Sequence, residues 1–372
     1  MGGSTGSDRD GGRPQAALTG RSVVEAIAAI AVPDPARAAA AWAHLDRLTK
    51  PPRSLGRLEE LAATAVAILG SRRGRGAVLV FAADHGVVAE GVSAYPQAVT
   101  AQMVRNFVAG GAAVNVLARA LGIAVVVVDV GVASAAPPPP GVVAARVAPG
   151  TRNLRREPAM TEAAARRAVE VGIAVAEREV ARGAAALAVG EMGIGNSTAA
   201  AALAAAYLGL PAAAVVGPGT GLDPAALARK QEVVADALAR HPPDAARPLA
   251  TLAAVGGFEI AAVAGACLGG AAAGVPVLVD GFIASAGALA AVRLAPAVRS
   301  HLIFAHRSPE PGHAAILAAL DAVPLLDLGM RLGEGTGACL GLALLAASLR
   351  LYDEMATFAS AGVSEREPRR DG

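Results

Sequence analysis

An isolated acid lies in a glycine-rich segment near the carboxyl end of the chain. Residues 331–338 read RLGEGTGA, so Glu334 is framed by Gly333, Gly335 and Gly337. These glycines leave room for a ligand to approach the carboxylate closely, and the apolar run at 339–352 predicts that a buried helix follows. An acid in this position predicts a general base. The alternative is a helix-start acid that is paired with Arg331.

A second glycine-rich loop, GEMGIGNST at 190–198, lies between a predicted strand and a predicted helix. Backbone N–H groups at a helix start bind anions, and hydroxyl side chains add further donors. The loop therefore predicts a phosphate site formed by Gly193, Gly195, Asn196 and Ser197. The alternative is a tight turn in which Asn196 or Ser197 only caps the helix.

A third loop, GPGTGLD at 217–223, is predicted to follow another strand and to lead into a helix that carries Lys230. Its glycine spacing matches the dinucleotide fingerprint only in part. Lys230 lies two turns into the helix, so it either turns inward to a phosphate or remains a solvated surface lysine.

Polar side chains also follow three other predicted strands. We interpret Asp84 and His85 as a hydrogen-bonded pair that organises the crevice, because no second cluster supplies further metal ligands. Asp280 either caps the helix that begins at 282 or binds ribose hydroxyls or orients a neighbouring group. His306 and Ser308 either line the pocket or cap the next helix.

Composition and missing motifs narrow the function. The 372 residues are 54% hydrophobic and carry a net charge of +2, without the basic stripe of a nucleic-acid-binding protein and without an expected membrane span. There is no P-loop, and no predicted strand is followed by a G-x-S-x-G nucleophile elbow or by a pair of acids. We therefore expect a site without metal or cofactor. The cysteines, Cys267 and Cys339, and the lack of a signal segment favour a cytoplasmic protein.

Short β-branched runs alternate with helical patterns along the chain, which predicts a parallel sheet covered by helices on both faces. The predicted strands are 77–82, 124–130, 185–189, 213–216, 275–279 and 301–305. The predicted helices are 23–30, 36–48, 57–70, 100–121, 161–182, 196–208, 224–240, 258–273 and 282–294. Such sheets form their sites in the loops after the strands.

The expected fold is therefore a three-layer α/β/α domain with a mostly parallel, Rossmann-like sheet at 76–334. Two terminal segments, 21–75 and 335–360, are expected to form a small helical subdomain. The composition of residues 1–20 and 361–372 predicts disordered tails.

Six segments together resemble the nicotinate-nucleotide–dimethylbenzimidazole phosphoribosyltransferase family, which makes the lower-ligand nucleotide of cobalamin. They occur in the family's order and are KPPRSLGRLEELA (50–62), ADHGVVAEGVSAYPQAVTAQMV (83–104), VGEMGIGNST (189–198), VGGFE (255–259), PVLVDGF (276–282) and RLGEGTGA (331–338).

The resemblance implies a reaction and a partner. Nicotinate mononucleotide would give its 5-phosphoribosyl group to 5,6-dimethylbenzimidazole, forming α-ribazole 5′-phosphate and nicotinate in a single inverting displacement. It also implies a homodimer with the three-layer fold and small helical domain described above.

The resemblance assigns roles to residues of this sequence. It makes Glu334 the catalytic base. It places phosphate and ribose contacts on Glu191, Gly193, Gly195, Asn196, Ser197, Gly219, Lys230 and Asp280. It places the base pocket at Asp84, Tyr95, Met103, Met192, Phe282, Ser308, Leu332 and Gly333.

Some alternatives stay open at this stage. Tyr95 and Met103 make the expected base pocket bulky and apolar, which suits dimethylbenzimidazole, another benzimidazole, a purine or a phenol. A nucleotide-binding partner subunit without catalysis and an NAD-linked oxidoreductase are the competing functions.

Overall fold

Six parallel strands form the centre of the molecule. The computed structural model describes residues 18–219 and 221–364. Its strands are β1 (Arg75–Ala83), β2 (Ala124–Gly131), β3 (Val143–Ala144), β4 (Ala184–Met192), β5 (Val277–Val279) and β6 (Leu302–Phe304). They lie in the order β3-β2-β1-β4-β5-β6, and every neighbouring pair is parallel. This is the strand order of the Rossmann fold, which confirms the predicted fold class.

Helices account for most of the described residues outside the sheet. In chain order they are α1 (Val23–Ala29), α2 (Pro35–Leu45), α3 (Arg57–Leu69), α4 (Ala98–Ala109), α5 (Ala113–Leu121), α6 (Glu162–Ala181), α7 (Asn196–Leu208), α8 (Ala212–Val215), α9 (Pro224–Arg240), α10 (Pro248–Val255), α11 (Phe258–Ala272), α12 (Phe282–Leu294), α13 (Pro311–Ala319), α14 (Thr336–Glu354) and α15 (Phe358–Ala361). Short 3-10 helices occupy Gly86–Glu90 and Pro296–His301.

Two buried helices, α11 and α14, cover opposite faces of the sheet. A methyl group added to Gly270 of α11 would lie 2.5 Å from Val277, whereas one added to Gly341 of α14 would lie 2.7 Å from the next residue, Leu278. Successive side chains of a strand point to opposite faces. The glycines therefore let each helix approach the sheet closely, and the fold has three layers.

Two predicted elements differ from the observed ones. Residues 213–216, predicted as a strand, lie largely in the single helical turn α8, because the alanines after Pro211 favour a helix. The predicted helix 100–121 is two helices, since Gly110 takes a left-handed conformation with φ 76° and ends α4. The loop at 217–223 therefore follows a helix, not a strand.

A second, small apolar cluster lies beside the main core. It joins α2, α3 and the end of α14 through Leu45, Leu48, Val66 and Tyr352. Val23 of α1 belongs instead to the large core. The division into two domains remains a prediction.

The predicted tails fall mainly outside the described residues, at 1–17 and 365–372. Leu18 is described and packs against the core. Within the described part of the chain, no helix has both the length and the apolar character that crossing a membrane requires.

Candidate active site

A cavity of about 570 Å³ opens at the carboxyl ends of the strands. Ligand cavities in proteins typically have volumes of this order. Its walls come from the loops after β4, β5 and β6, from the segment between Gly86–Glu90 and α4, and from the turn before α14. Loops that are far apart in sequence thus form one site at this edge of the sheet.

Most of the residues predicted for the site line this one cavity. They are Tyr95, Met103, Glu191, Met192, Gly193, Gly195, Asn196, Ser197, Gly219, Lys230, Phe282, Ser308, Leu332, Gly333 and Glu334. The structure places two predicted residues, Asp84 and Asp280, behind the wall instead. Both are buried, and both accept hydrogen bonds from backbone N–H groups.

Glu334 lies on a turn of unusual backbone conformation. Three successive residues have positive φ: Gly333 at 87°, Glu334 at 63° and Gly335 at 84°. Bulky residues avoid this region, and such strain clusters at functional sites. The turn also packs directly on β4, where a methyl group at Gly190 would lie 2.3 Å from the Gly335 nitrogen. Packing against the sheet therefore holds the acid in a costly conformation.

The Glu334 carboxyl is buried, and one of its oxygens has no hydrogen-bond partner within the described residues. Its side chain lines the cavity, and its Oε2 atom makes no hydrogen bond within the described residues. Burial raises the pKa of Glu334, the backbone N–H of Val114 acts in the opposite direction, and the charge of Asp280 raises it further. A carboxylate with a raised pKa is a stronger base than an exposed one. No ion pair joins Glu334 to Arg331 within the described residues, although Arg331 lines the cavity.

Asp280 holds the turn that carries Glu334. Its Oδ2 accepts the Gly335 N–H at 3.1 Å, and its Oδ1 accepts the Ala338 N–H at 2.9 Å. These two N–H groups lie at the start of α14, where a helix has no internal acceptors. Asp280 thus caps α14 from the end of β5, and it orients its neighbours rather than facing the cavity.

Glu191 lies beside the same turn as a second buried carboxyl. Asn196 donates a hydrogen bond to its Oε2, and a methyl group at Gly333 would lie 2.5 Å from its Oε1. Burial raises the pKa of Glu191 well above its ordinary value, and the charges of Glu259 and Asp280 act in the same direction. The hydrogen bond from Asn196 acts in the opposite direction.

Lys230 and Ser197 form a donor-rich corner of the cavity. The Lys230 ammonium donates to Ser197 Oγ at 2.9 Å and to the Gly217 carbonyl at 3.2 Å. An ammonium has three N–H donors, so one remains for a ligand within the described residues. Burial lowers the pKa of Lys230 to about 8, against the opposing charge of Glu310. Ser197 also lies in the first turn of α7, where backbone N–H groups favour anions.

The prediction that Asp84 and His85 form a hydrogen bond with each other is wrong, because each has a different partner. His85 Nε2 lies 2.6 Å from Glu259 Oε1, and both side chains are fully buried. Asp84 Oδ2 accepts the Ala133 N–H at 2.7 Å instead. The VGGFE segment that contains Glu259 stood out in the sequence, but nothing in it indicated a partner 174 residues away.

Two further residues also line the cavity. His306 was predicted to line the pocket or to cap the next helix, whereas Glu310 had no predicted role. Burial lowers the pKa of His306, but the Asp280 carboxylate, whose Oδ1 lies 3.5 Å from His306 Nε2, outweighs burial and raises that pKa overall. Glu310 precedes α13 and accepts the Gly219 N–H at 2.9 Å. A Pro-Glu-Pro sequence between a strand and a helix was the available signal for Glu310.

Apolar side chains form the rest of the wall. Met103, Met192, Phe282 and Leu332 are among them, and Tyr95 lies half exposed at the opening. A flat aromatic ring suits such a surface, since it gains from apolar contact and from contact with sulfur. No group of three or more His, Cys, Asp or Glu side chains in the described part of the chain has the geometry to hold a metal ion.

Comparisons with known proteins agree over nearly the whole chain. A family model described as "Phosphoribosyltransferase" matches residues 30–363. The nicotinate-nucleotide–dimethylbenzimidazole phosphoribosyltransferase of Roseiflexus sp. is 55% identical, over 91% of this chain and 97% of that protein. The enzyme of the same name from Thermus thermophilus is 55% identical, over 89% of this chain and 99% of that protein. A crystal structure of CobT from Thermus thermophilus matches with a TM-score of 0.85 at 54% identity, covering 89% of this chain and 100% of that chain.

Proposed function

The chain belongs to the nicotinate-nucleotide–dimethylbenzimidazole phosphoribosyltransferase family, and on that premise we propose the reaction and its machinery in this protein. Nicotinate mononucleotide gives its 5-phosphoribosyl group to 5,6-dimethylbenzimidazole. The products are α-ribazole 5′-phosphate and nicotinate, for use in cobalamin synthesis.

The reaction is a single displacement at C1′ of the ribose. The pyridine nitrogen carries a positive charge in the nucleotide and becomes neutral when nicotinate leaves. The departure of nicotinate therefore needs little acid assistance. One nitrogen of the incoming azole bonds to C1′ from the opposite face, which converts the β linkage to α. The proton on its other nitrogen must then be accepted by a base.

Glu334 is the proposed proton acceptor. The observation that carries this role is its buried carboxyl on the strained turn, with Oε2 free of protein partners among the described residues and the side chain lining the cavity. General base catalysis of this kind contributes about 10²–10⁴-fold. The remaining acceleration is assigned to holding both rings in line with C1′.

The other end of the nucleotide fits the donor-rich corner. Lys230, Ser197 and the start of α7 supply an ammonium, a hydroxyl and backbone N–H groups to the 5′-phosphate. The apolar wall formed by Met103, Met192 and Phe282 receives the aromatic rings.

A coupled assay tests the proposal. The protein is incubated with nicotinate mononucleotide and dimethylbenzimidazole, and free nicotinate and the α-riboside product are measured by mass. We expect Glu334→Ala to fold normally, to bind nicotinate mononucleotide and to lose about 10²-fold or more of turnover. The matched control is Glu354→Ala at the exposed end of α14, which should keep its rate. Turnover by Glu334→Ala near the wild-type rate would remove Glu334 as the base.

The preferred base needs a separate measurement. A panel of benzimidazoles, purines and phenols, each assayed with nicotinate mononucleotide, ranks the acceptors directly. We propose dimethylbenzimidazole as the best acceptor, because an apolar wall rich in methionine favours an apolar bicyclic ring. A higher kcat/KM for a purine or a phenol would contradict this choice.

We also propose that the chain forms a homodimer. Support comes from apolar side chains left exposed near the site, among them Leu328 and Leu332, which are 61% and 56% exposed. Apolar groups of this kind often mark an interface. Sedimentation velocity gives the mass in solution, and a monomer at assay concentration would contradict the proposal.

A further inference from the structure

Glu310 is a buried acid beside the donor-rich corner of the cavity, and the mechanism above does not use it. It follows β6 and precedes α13, and its side chain is 7% exposed. Its Oε1 accepts the Gly219 N–H at 2.9 Å, while its buried Oε2 has no partner within the described residues. A buried carboxylate is costly unless it is paired or fully hydrogen-bonded, so the position of Glu310 needs an explanation.

Glu310 and Lys230 hold the same short loop. Lys230 binds the Gly217 carbonyl, and a methyl group at Gly219 would lie 3.5 Å from its Nζ. Glu310 binds the Gly219 N–H, and a methyl group at Gly217 would lie 2.2 Å from its Oε2. The loop therefore lies against both side chains, and the two glycines are what allows this close approach.

The two charges are near each other but do not form a closed pair. No Lys230–Glu310 ion pair within 4.0 Å is found in the described residues, and the ammonium donates to Ser197 and Gly217 instead. Lys230 thus keeps an N–H for a ligand while it lies in the field of a nearby carboxylate.

We propose that Glu310 is a positioning residue of the phosphate subsite, where it fixes the backbone of loop 217–219 and keeps Lys230 charged. This inference rests on the proposed function, because it assigns the 5′-phosphate to Lys230. In this proposed role Glu310 acts through the loop and the ammonium rather than on the substrate itself.

The electrostatic surroundings of Lys230 make this role testable. Burial lowers the pKa of Lys230 to about 8, and Glu310 is the group whose charge raises it. Of the helices packed against α9, α7 carries Tyr207 as its titratable side chain and α8 carries none. On α9 itself, Arg229 and Glu232 are exposed to solvent, which screens their charges.

Removing the negative charge of Glu310 should therefore lower the pKa of Lys230 further. The lysine would then lose its proton, and with it the attraction for phosphate, at a lower pH than in the wild type. Glu310→Gln keeps an oxygen for the Gly219 N–H but removes the charge. Glu310→Asp keeps the charge but shortens the reach to that N–H.

Binding of ribose 5-phosphate, measured by calorimetry from pH 7 to 9.5, separates these contributions without turnover. The phosphate ester is almost fully ionised above pH 7, because its second pKa is about 6. We expect the midpoint of the affinity loss to shift down by about half a pH unit or more in Glu310→Gln. In Glu310→Asp the midpoint should stay near that of the wild type, while affinity falls at every pH.

Two controls complete the design. Glu179→Gln makes the same change at an acid that is also 7% exposed but lies at the far end of α6, and it should leave the midpoint unchanged. Lys230→Met should abolish this pH dependence, and adding Glu310→Gln to it should produce no further shift.

The outcomes distinguish this inference from the proposed function. If Glu310→Gln loses affinity for ribose 5-phosphate at the same pH midpoint as the wild type, only the role of Glu310 is overturned. A wild-type protein that fails to bind ribose 5-phosphate overturns the phosphate subsite and this inference together. If Glu310→Gln does not fold, a shifted midpoint in Glu310→Asp still overturns the inference, because that variant retains the charge.

Discussion

At the scale of single residues, the geometry of the site depends on its glycines as much as on its polar side chains. Glu334 takes a positive φ that costs of order 1–3 kcal/mol, and it is framed by glycines that adopt the same region freely. Gly190 has no side chain, so the turn lies directly on β4. The strained backbone leaves the carboxyl buried at the cavity wall, where its raised pKa suits proton abstraction.

Substituting Gly333 tests this reasoning. An alanine there would place its methyl group 2.5 Å from Glu191 Oε1, in addition to the strain of φ 87°. Gly329→Ala is the matched control in the same segment, because its φ is 65° and no atom lies within 4 Å of the added methyl group. Both variants should lose about 1–2 kcal/mol of unfolding free energy.

The two variants should differ in activity. Gly333→Ala must displace the Glu191 carboxyl, and small displacements in an active site reduce rates steeply. We expect kcat to fall about tenfold or more in Gly333→Ala and to change little in Gly329→Ala. Equal kcat values at equal stability would show that the space beside Glu191 is not required.

At the scale of elements, the end of one strand controls the start of a distant helix. Asp280 follows β5 and accepts two N–H groups at the start of α14, directly after Glu334. His306, after β6, lies 3.5 Å from the same carboxylate. The turn that carries Glu334 is therefore held by the ends of neighbouring strands, and its position depends on the sheet.

Asp280→Asn is the prediction at this scale. The asparagine amide keeps one oxygen that can accept one of the two backbone N–H groups. Its NH₂ group would face the other N–H, so two donors would oppose each other. A buried donor without a partner costs about 1–3 kcal/mol, and the loosened turn should also lower kcat. Chemical denaturation and the nicotinate assay measure the two effects.

Asp34→Asn provides the comparison for this change. Asp34 caps α2 at the surface by accepting the Ala36 N–H, and asparagine is an equally good cap there. That variant should keep both its stability and its kcat. A similar result for Asp280→Asn would show that the link from β5 to α14 is not needed for catalysis.

Helices whose ends are marked by nearby residues could be predicted from the sequence, whereas contacts between distant residues could not. The helices at 196–208, 224–240 and 282–294 were predicted with their observed bounds, since glycine and proline signals mark their ends. The AAVV run at 213–216 was predicted as a strand because periodicity cannot separate a short buried strand from a helical turn.

Partners far apart in the chain left no local signal. Glycine-rich loops indicated Gly193, Gly195, Asn196, Ser197 and Glu334, and the resemblance to the family implied most of the other predicted cavity residues. Glu310 and Gly219 are 91 residues apart, and His85 and Glu259 are 174 apart. The inward orientation of Asp280 toward α14 likewise depends on packing that only the folded chain provides.

At the scale of the whole molecule, the strand order decides which loops meet. β1 lies between β2 and β4, so the connections that follow β1 and its neighbours run to opposite sides of the sheet at this point. They leave a crevice at the carboxyl ends of these strands. A surface network also joins the 3-10 helix at Gly86–Glu90 to α9. Glu90 accepts hydrogen bonds from Asn153 and Arg155, and Arg155 also binds Asp236 on the helix that carries Lys230.

The pH dependence of global stability is the last prediction, and it concerns His313 in α13. Its Nδ1 accepts the Ser308 N–H at 2.9 Å, and its Nε2 lies 3.1 Å from Ser285 Oγ, so the folded protein requires the neutral ring. Burial lowers the pKa of His313 to about 4, and the charge of His306 also lowers it. In the unfolded chain the ring has its ordinary pKa of 6.5.

The sign of the effect follows from where protons bind. Well above pH 6.5 the ring is neutral in both states, and its contribution to stability is fully present. Between pH 6.5 and about 4 the unfolded chain gains a proton that the folded protein does not, so unfolding becomes easier as the pH falls. The loss amounts to about 3 kcal/mol at most, at 1.36 kcal/mol per pKa unit.

Comparison with His313→Gln isolates this contribution from those of other groups. Glu191 and Glu334 have raised pKa values and act in the opposite direction, but they are present in both proteins and largely cancel in the difference. Urea unfolding at pH 7.5, 5.5 and 4 should show His313→Gln clearly less stable than the wild type at pH 7.5. That gap should narrow toward pH 4, because only the wild type loses the contribution of a neutral His313. A gap that stays constant with pH would mean that His313 titrates alike in the folded and unfolded chains.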